Sequence, residues 1–187
     1  WQVAEPATEL SARGPGQGGE RTFTMVKPIP EGYHTITPSF IFKDSRKAIE
    51  FYKQAFGAEE RGVMPGPDGK SVLHAELRIG DSIVMLADEN AMQECKSAET
   101  LGGSPVSFYL YVEDVDAAFG KAVAAGATVQ MPVQEMFWGD RVGSVGDPFG
   151  ISWTLATRTK ELTEDEMAKA AKAALRDWDQ SCGAVKE

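Results

Sequence analysis

At 187 residues the chain is long enough for one domain with a substantial core, and its 28 acidic against 19 basic residues leave a formal charge of -9. No stretch concentrates lysine and arginine, which argues against nucleic acid as a partner, because that binding depends on clustered cations that displace counterions. No apolar run is long enough for a bilayer span, and Cys95 and Cys182, the two cysteines, supply neither a disulfide framework nor a CxxC zinc motif; they read as free thiols in a reducing cytoplasm.

Residues 1–24 are rich in Gly, Pro, Ala and Glu, have no apolar period, and lack the charged-then-apolar order of a signal peptide. They read as a disordered lead or an extension added to the natural chain, with Met25 as a natural start. Folding is expected to begin near Thr35. Residues 35–42 form a strand, with Pro38 tolerated at an edge or bulge. Ser45 then caps a helix over residues 46–56, whose apolar face is Ala48, Ile49, Tyr52, Ala55 and Phe56. Gly57 ends it. A short strand at 61–64, a Pro65-Gly66-Pro67-Asp68-Gly69 turn, a strand over Val72–Ile79, a tight Gly80-Asp81 connection and a strand at 82–87 complete the first unit.

Residues 88–103 are polar and small, fitting a loop or short helix. The second unit opens with a strand at 106–113. Asp114 caps a helix at 115–125 that Gly126 ends, and strands follow near 128–130, 133–136 and 141–146. The Asp147-Pro148-Phe149-Gly150 turn leads into a last strand at 151–156. After Lys160, Thr163-Glu164-Asp165-Glu166 is a capping box for an alanine-rich helix at 167–178, with Leu175 and Trp178 as anchors either to its own sheet or to a partner subunit. The chain thus repeats a strand, an acidic cap, a helix and further strands after about 70 residues. Two such units must bury their apolar faces together.

Several strings carry a family resemblance: Ala48-Ile49-Glu50-Phe51-Tyr52, Phe56-Gly57-Ala58-Glu59, Pro67-Asp68-Gly69-Lys70 running into His74-Ala75-Glu76-Leu77, and Phe137-Trp138-Gly139-Asp140-Arg141 followed by Asp147-Pro148-Phe149-Gly150. With the doubled unit, they make the chain resemble the vicinal oxygen chelate superfamily of glyoxalase, bleomycin-resistance and dioxygenase proteins, and its PhnB-like branch. The resemblance implies an α+β fold: two βαβββ modules, at about 34–90 and 104–157, form a curved mixed sheet around a pocket within a glyoxalase-like domain at 25–160. A C-terminal helix and tail occupy 161–187. The family commonly completes its pocket in a homodimer, and the sheet edges left by two modules argue for the same partner.

Metal-dependent relatives carry His, Gln or Glu ligands on the first and last strands of each module. The positions that correspond are Thr37 and Met85 in the first copy, and Ser107 and Thr154 in the second. Hydroxyls and a thioether do not replace imidazole and carboxylate, so the chain departs from the metal pattern at all four. The expected cofactor is none, and a divalent metal is disfavoured. His74 and Glu76, two apart on a strand and so on one face, are the candidates for a displaced metal site or, through His74, for acid–base chemistry. His34 reads as a surface residue. Ser107, Tyr109 and Tyr111 share a strand face expected to look into the pocket, and Trp153 points the other way from Thr154. Trp138 lies in a loop and serves either as core or as a cover for the pocket mouth. Arg141 either clamps an anionic group or pairs with Asp140 or another nearby carboxylate. The candidate ligand-binding set is therefore Thr37, His74, Met85, Ser107, Tyr109, Trp138, Arg141 and Thr154. The leading functional expectation is a metal-free small-molecule binder in a homodimer, without membrane or nucleic-acid partners. The alternative is a lyase, isomerase or dioxygenase type of enzyme that acts on a small oxygenated substrate through His74 and Glu76, and whether the chain is an enzyme stays open at this point.

Overall fold

The structure, a computed structural model, describes residues 26–90 and 94–183, with side chains through 176. Expectations for residues 1–24 and for the side chains of Trp178 and Cys182 lie outside these residues. The first module runs β1 (Ser39–Phe42), α1 (Ser45–Phe56), β2 (Glu59–Pro65), β3 (Val72–Ile79) and β4 (Ser82–Asp88). A short α2 (Ala98–Leu101) links it to β5 (Ser107–Tyr111), α3 (Val115–Ala124), β6 (Thr128–Glu135), β7 (Asp140–Gly146) and β8 (Ser152–Arg158). α4 (Glu164–Gly183) closes the chain.

The sheet orders are β1-β4-β3-β2 and β5-β8-β7-β6. In each, the first strand runs parallel to the last and the remaining pairs are antiparallel. This is the mixed α+β architecture of two βαβββ modules. The parallel pairing needs a long crossover, which each module's helix and middle strands supply.

Local chemistry explains where the elements start and stop. β1 begins at Ser39 rather than Thr35, because Pro38 has no N–H for the ladder; its carbonyl still accepts from Met85 N at 2.9 Å. Asp44, not Ser45, caps α1: its carboxylate accepts from Lys47 N at 3.1 Å, and Ser45 is the first helical residue. Asp114 does the same for α3 through Ala117 N at 3.0 Å. The two strands expected at 128–130 and 133–136 are one strand, β6, with register shifts beside Pro132. The capping box before α4 forms as expected, with Thr163 N donating to Glu166 Oε2 at 2.8 Å and Glu166 N to Thr163 Oγ1 at 3.3 Å.

Each module also latches its helix to its last strand. Ser45 N donates to Asp88 Oδ1 at 2.7 Å in the first, and Val115 N donates to Thr157 Oγ1 at 2.9 Å in the second. These bonds satisfy one of the orphan donors of a helix start.

The modules meet through α1, α3 and one aromatic layer. Phe40 lies 4.8 Å from Phe108 and Phe56 4.8 Å from Trp153, centroid to centroid. Tyr52, fully buried, touches Trp153 and Phe149. α1 is therefore covered on two sides, which is why Phe51 is buried along with the expected stripe of Ala48, Ile49, Tyr52 and Ala55. Such ring pairs add about 0.5–1.5 kcal/mol each beyond area burial.

One polar group sits inside this layer. The Asp147 carboxylate, 8% exposed, accepts from Tyr52 Oη at 2.7 Å, Trp153 Nε1 at 3.0 Å, Phe149 N at 3.0 Å and Ile151 N at 2.8 Å. The aspartate of the Asp-Pro-Phe-Gly turn is thus a junction between modules as well as a turn residue. Burial and the Asp147 charge push the Tyr52 hydroxyl well above the ordinary tyrosine range.

α4 stands apart from the principal packing of both modules. Its half-buried positions Met167, Ala170, Ala171 and Ala174 follow a helical stripe, while Leu175 is 67% exposed. No helix of the described residues is long and apolar enough to cross a membrane.

Candidate functional site

Each sheet has one face against its helix and one face open. Strand alternation assigns the sides. In the first sheet Phe40, Phe42, Ala75, Leu77, Val84 and Leu86 are buried toward α1. Ser39, Ile41, His74, Glu76, Met85 and Ala87 lie on the open face. In the second, Phe108, Leu110, Trp153 and Leu155 lie on the helix side, Phe108 and Trp153 against Phe40 and Trp153 also against Tyr52 and Phe56 of α1, while Ser107, Tyr109, Tyr111, Ser144, Thr154, Asp140 and Arg158 lie on the open side.

The internal repeat can now be read from strand pairing. Ser39 is opposite Met85 and Tyr109 is opposite Thr154; Glu76 is opposite Met85 and Ser144 is opposite Thr154. Met85 and Thr154 are therefore equivalent, as are Ser39 and Tyr109, and Glu76 and Ser144. Thr37 keeps its correspondence to Ser107, but it lies ahead of β1, where its hydroxyl donates to the His34 carbonyl at 3.3 Å. Thr154 shares a 3.0 Å hydrogen bond with Ser144. Among the described residues no three His, Cys, Asp or Glu side chains converge on one point. The donor set at the family's ligand positions does not fit a resident divalent ion.

On the first open face, His74 Nε2 lies 3.4 Å from Glu76 Oε1, and the Tyr33 hydroxyl holds the Glu76 carboxyl below the ordinary carboxylate range. Glu76 in turn raises Tyr33 above the ordinary phenol range, with the Arg61 guanidinium 6.0 Å from the Tyr33 ring. His34 is elsewhere: it reaches the Asp81 carbonyl at 3.2 Å, on the β3–β4 turn.

The second open face carries a denser constellation. The turn before β7 places it: Gly139 adopts φ +95, and a β-carbon there would meet the Lys160 carbonyl oxygen at 2.6 Å. The Gly139 carbonyl accepts from Thr159 N and Lys160 N, pinning the turn to the end of β8. This brings Trp138 and Asp140 over the strands. Asp140 is 1% exposed. Its Oδ2 accepts from Tyr111 Oη at 3.0 Å and Trp138 Nε1 at 3.2 Å, and its Oδ1 accepts from Arg158 Nε at 2.9 Å. Tyr109 packs on Tyr111 at 5.2 Å, and partial burial raises its hydroxyl above the ordinary range. Phe137 stands edge-on to Trp138 at 4.9 Å.

Tyr109, Trp138, Thr154 and Ser107 thus share one face, and His74 and Met85 share the other module's. Arg141 belongs to neither. It projects to the α3 side, where Asp116 takes its Nε and Nη2 at 2.7 and 2.8 Å and Glu135 lies at 3.5 Å. Its carboxylate partner is Asp116, since alternation along β7 sends Asp140 to the opposite side. Asp140 and Arg158 were missed as site residues, although that same alternation could have separated Asp140 from Arg141.

The profile of the Glyoxalase/Bleomycin resistance protein/Dioxygenase superfamily matches residues 34–155. The uncharacterized protein Rv0887c of Mycobacterium tuberculosis is 45% identical over 158 residues, 82% of this chain and 88% of that one. The X-ray structure of the Arabidopsis thaliana At5g48480 product is 33% identical with a TM-score of 0.54, covering 66% of this chain and 98% of that one. A PhnB protein from Bacillus cereus, 21% identical with a TM-score of 0.53 over 66% of this chain and 99% of that one, shares the fold. With the family profile spanning both modules and these neighbours over nearly their full length, the chain belongs to the glyoxalase/bleomycin resistance protein/dioxygenase superfamily and has PhnB-like structural neighbours.

Proposed function

We propose that this protein binds a small molecule without a resident metal, in a pocket that a second copy completes. The observation that carries the reading is the second open face. Tyr109, Tyr111 and Phe137 are 47%, 58% and 42% exposed there, around an Asp140 whose carboxylate is already satisfied. Aromatic walls with a few fixed polar groups suit binding by burial. Among the described residues no helix packs extensively over either open face, although Val142 and Ala156 on the second are already buried, and each sheet ends in two edge strands, β1 and β2 in the first and β5 and β6 in the second. A homodimer that closes one module's open face against the other's supplies that cover. Sedimentation at micromolar concentration should give a dimer; a monomer removes the shared pocket. Equilibration with zinc, nickel or manganese followed by gel filtration should leave far less than one ion per chain. Stoichiometric metal that disappears in His74→Ala overturns the metal-free reading.

The second reading, an enzyme, rests on the His74–Glu76 contact at 3.4 Å. A carboxylate beside an imidazole can orient it for proton transfer. It requires that His74→Gln abolish turnover of a ligand that still binds.

A further inference from the structure

The two modules carry different chemistry at equivalent places. Continuing the register two residues beyond Tyr111 opposite Ala156, and beyond Ile41 opposite Ala87, sets Arg158 against Glu89. Where the second module has Tyr109, Tyr111 and Arg158, the first has Ser39, Ile41 and Glu89. Nothing in the repeated fold demands an arginine at this point.

The setting of Arg158 is unusual for a simple ion pair. Its acidic partner is 2% exposed while its own side chain is 57% exposed. It donates to Asp140 through Nε alone, and Asp140 spends its other oxygen on Tyr111 and Trp138. Asp140 holds the guanidinium by its inner edge and the Tyr111 hydroxyl also interacts with it, yet the Arg158 side chain stays 57% exposed. The two amino groups of an arginine have the spacing of a carboxylate or phosphate fork. Asp140 first and the Tyr111 hydroxyl second raise the Arg158 pKa further, and an arginine is cationic at any physiological pH. The neighbouring Tyr109 and Tyr111 rings offer an exposed flat wall, with Phe137 and Trp138 at its end.

We infer that the second module's open face is an anion-anchored aromatic subsite: the Nη edge of Arg158 takes an oxyanion, and the ring attached to it lies on Tyr109 and Tyr111. The inference rests on the small-molecule reading above and narrows it to aromatic acids. Asp140, Tyr111 and Trp138 act as positioning residues for Arg158.

The test uses the full chain with two probes of matched shape, 2-naphthoate and neutral 2-naphthamide, followed by calorimetry. The naphthoate should bind at least about tenfold more tightly, as a charge-assisted pair lost from one of two isosteres implies. Arg158→Gln should erase the difference, while Arg158→Lys, which keeps the charge but loses the fork, should keep part of it. Equal binding of both probes by the wild type overturns the anion anchor and leaves the pocket standing. A preference that persists unchanged in either variant also overturns it, since another cation is then responsible. If neither probe binds at millimolar concentration, the aromatic-acid subsite is overturned, while the small-molecule reading is decided separately by the sedimentation and metal tests above. Should Arg158→Gln fail to fold, Arg158→Lys decides alone.

Discussion

Replacing Tyr52 by phenylalanine removes one oxygen from the centre of the molecule and leaves every ring contact in place. The hydroxyl belongs to α1 of the first module and its acceptor, Asp147, to the β7–β8 turn of the second, so the 2.7 Å bond spans the module boundary. A hydrogen bond to a charged acceptor contributes about 1.5–3 kcal/mol net, and Tyr52→Phe should cost that much. Asp147→Ala is harsher, because it strands Trp153 Nε1, Tyr52 Oη and two backbone N–H groups. Its cost should reach about 3–5 kcal/mol, as for breaking a buried charged network. The two changes must not add. Once the hydroxyl is gone, Asp147→Ala orphans one donor fewer, and the double-mutant cycle should show coupling of about 1–3 kcal/mol. The assay is urea unfolding at one fixed protein concentration, followed by tryptophan emission, since Trp153 reports on Asp147 directly. If Tyr52 also couples the modules, the slope of unfolding free energy against urea should fall as they begin to melt separately. A Tyr52→Phe variant within about 0.5 kcal/mol of wild type, with an unchanged slope, refutes the assignment of Asp147 as the inter-module junction.

The same hydroxyl makes an alkaline prediction. Its folded pKa lies above the unfolded value of 10.0, so its stabilisation is complete below pH 10 and is lost as pH rises above it; Tyr52→Phe should flatten the alkaline limb of a stability–pH curve. Glu89 gives the acid counterpart. Bonds from Ser97 and Thr100 lower its pKa from 4.5 to about 2, so its contribution is present above pH 4.5 and lost as pH falls through about 2; Glu89→Gln should destabilise at neutrality by an amount that shrinks steadily as pH falls from 4.5 toward 2. Gly139→Ala should cost at least about 1–2 kcal/mol for the left-handed backbone alone, and more for the contact with the Lys160 carbonyl. A shift in Trp138 emission should accompany the loss, and an alanine variant with wild-type melting and emission counts against the turn as the scaffold of the second open face.

Most of the architecture was legible because apolar alternation and helix punctuation act locally. Val72–Ile79 is the strand its pattern announces, and Asp114 caps as expected. The failures have physical causes. Asp44 and Ser45 are both competent caps, and what decided between them was the bond from Ser45 N to Asp88, 43 residues away. Pro132 interrupts the alternation that would have joined 128–130 to 133–136, yet a bulge carries the strand past it. The site was legible by face but not by pairing. Tyr109, Ser107 and Thr154 could be grouped from alternation, whereas the meeting of Asp140 with Arg158 depends on strand register and on a glycine turn. Arg141 stood beside Asp140 in sequence and found its carboxylate on α3 instead.

The helix latches bear on how freely the chain could be rearranged. Asp88 holds Ser45 and Thr157 holds Val115, each wholly inside one module. A circular permutant opened between the modules would therefore carry both closures intact within its two halves. The α1–α3 packing, the Tyr52–Asp147 bond and the aromatic layer would have to be found again across the new junction, and none of these depends on chain order, so the order in which the modules are synthesised should matter little to the structure they reach.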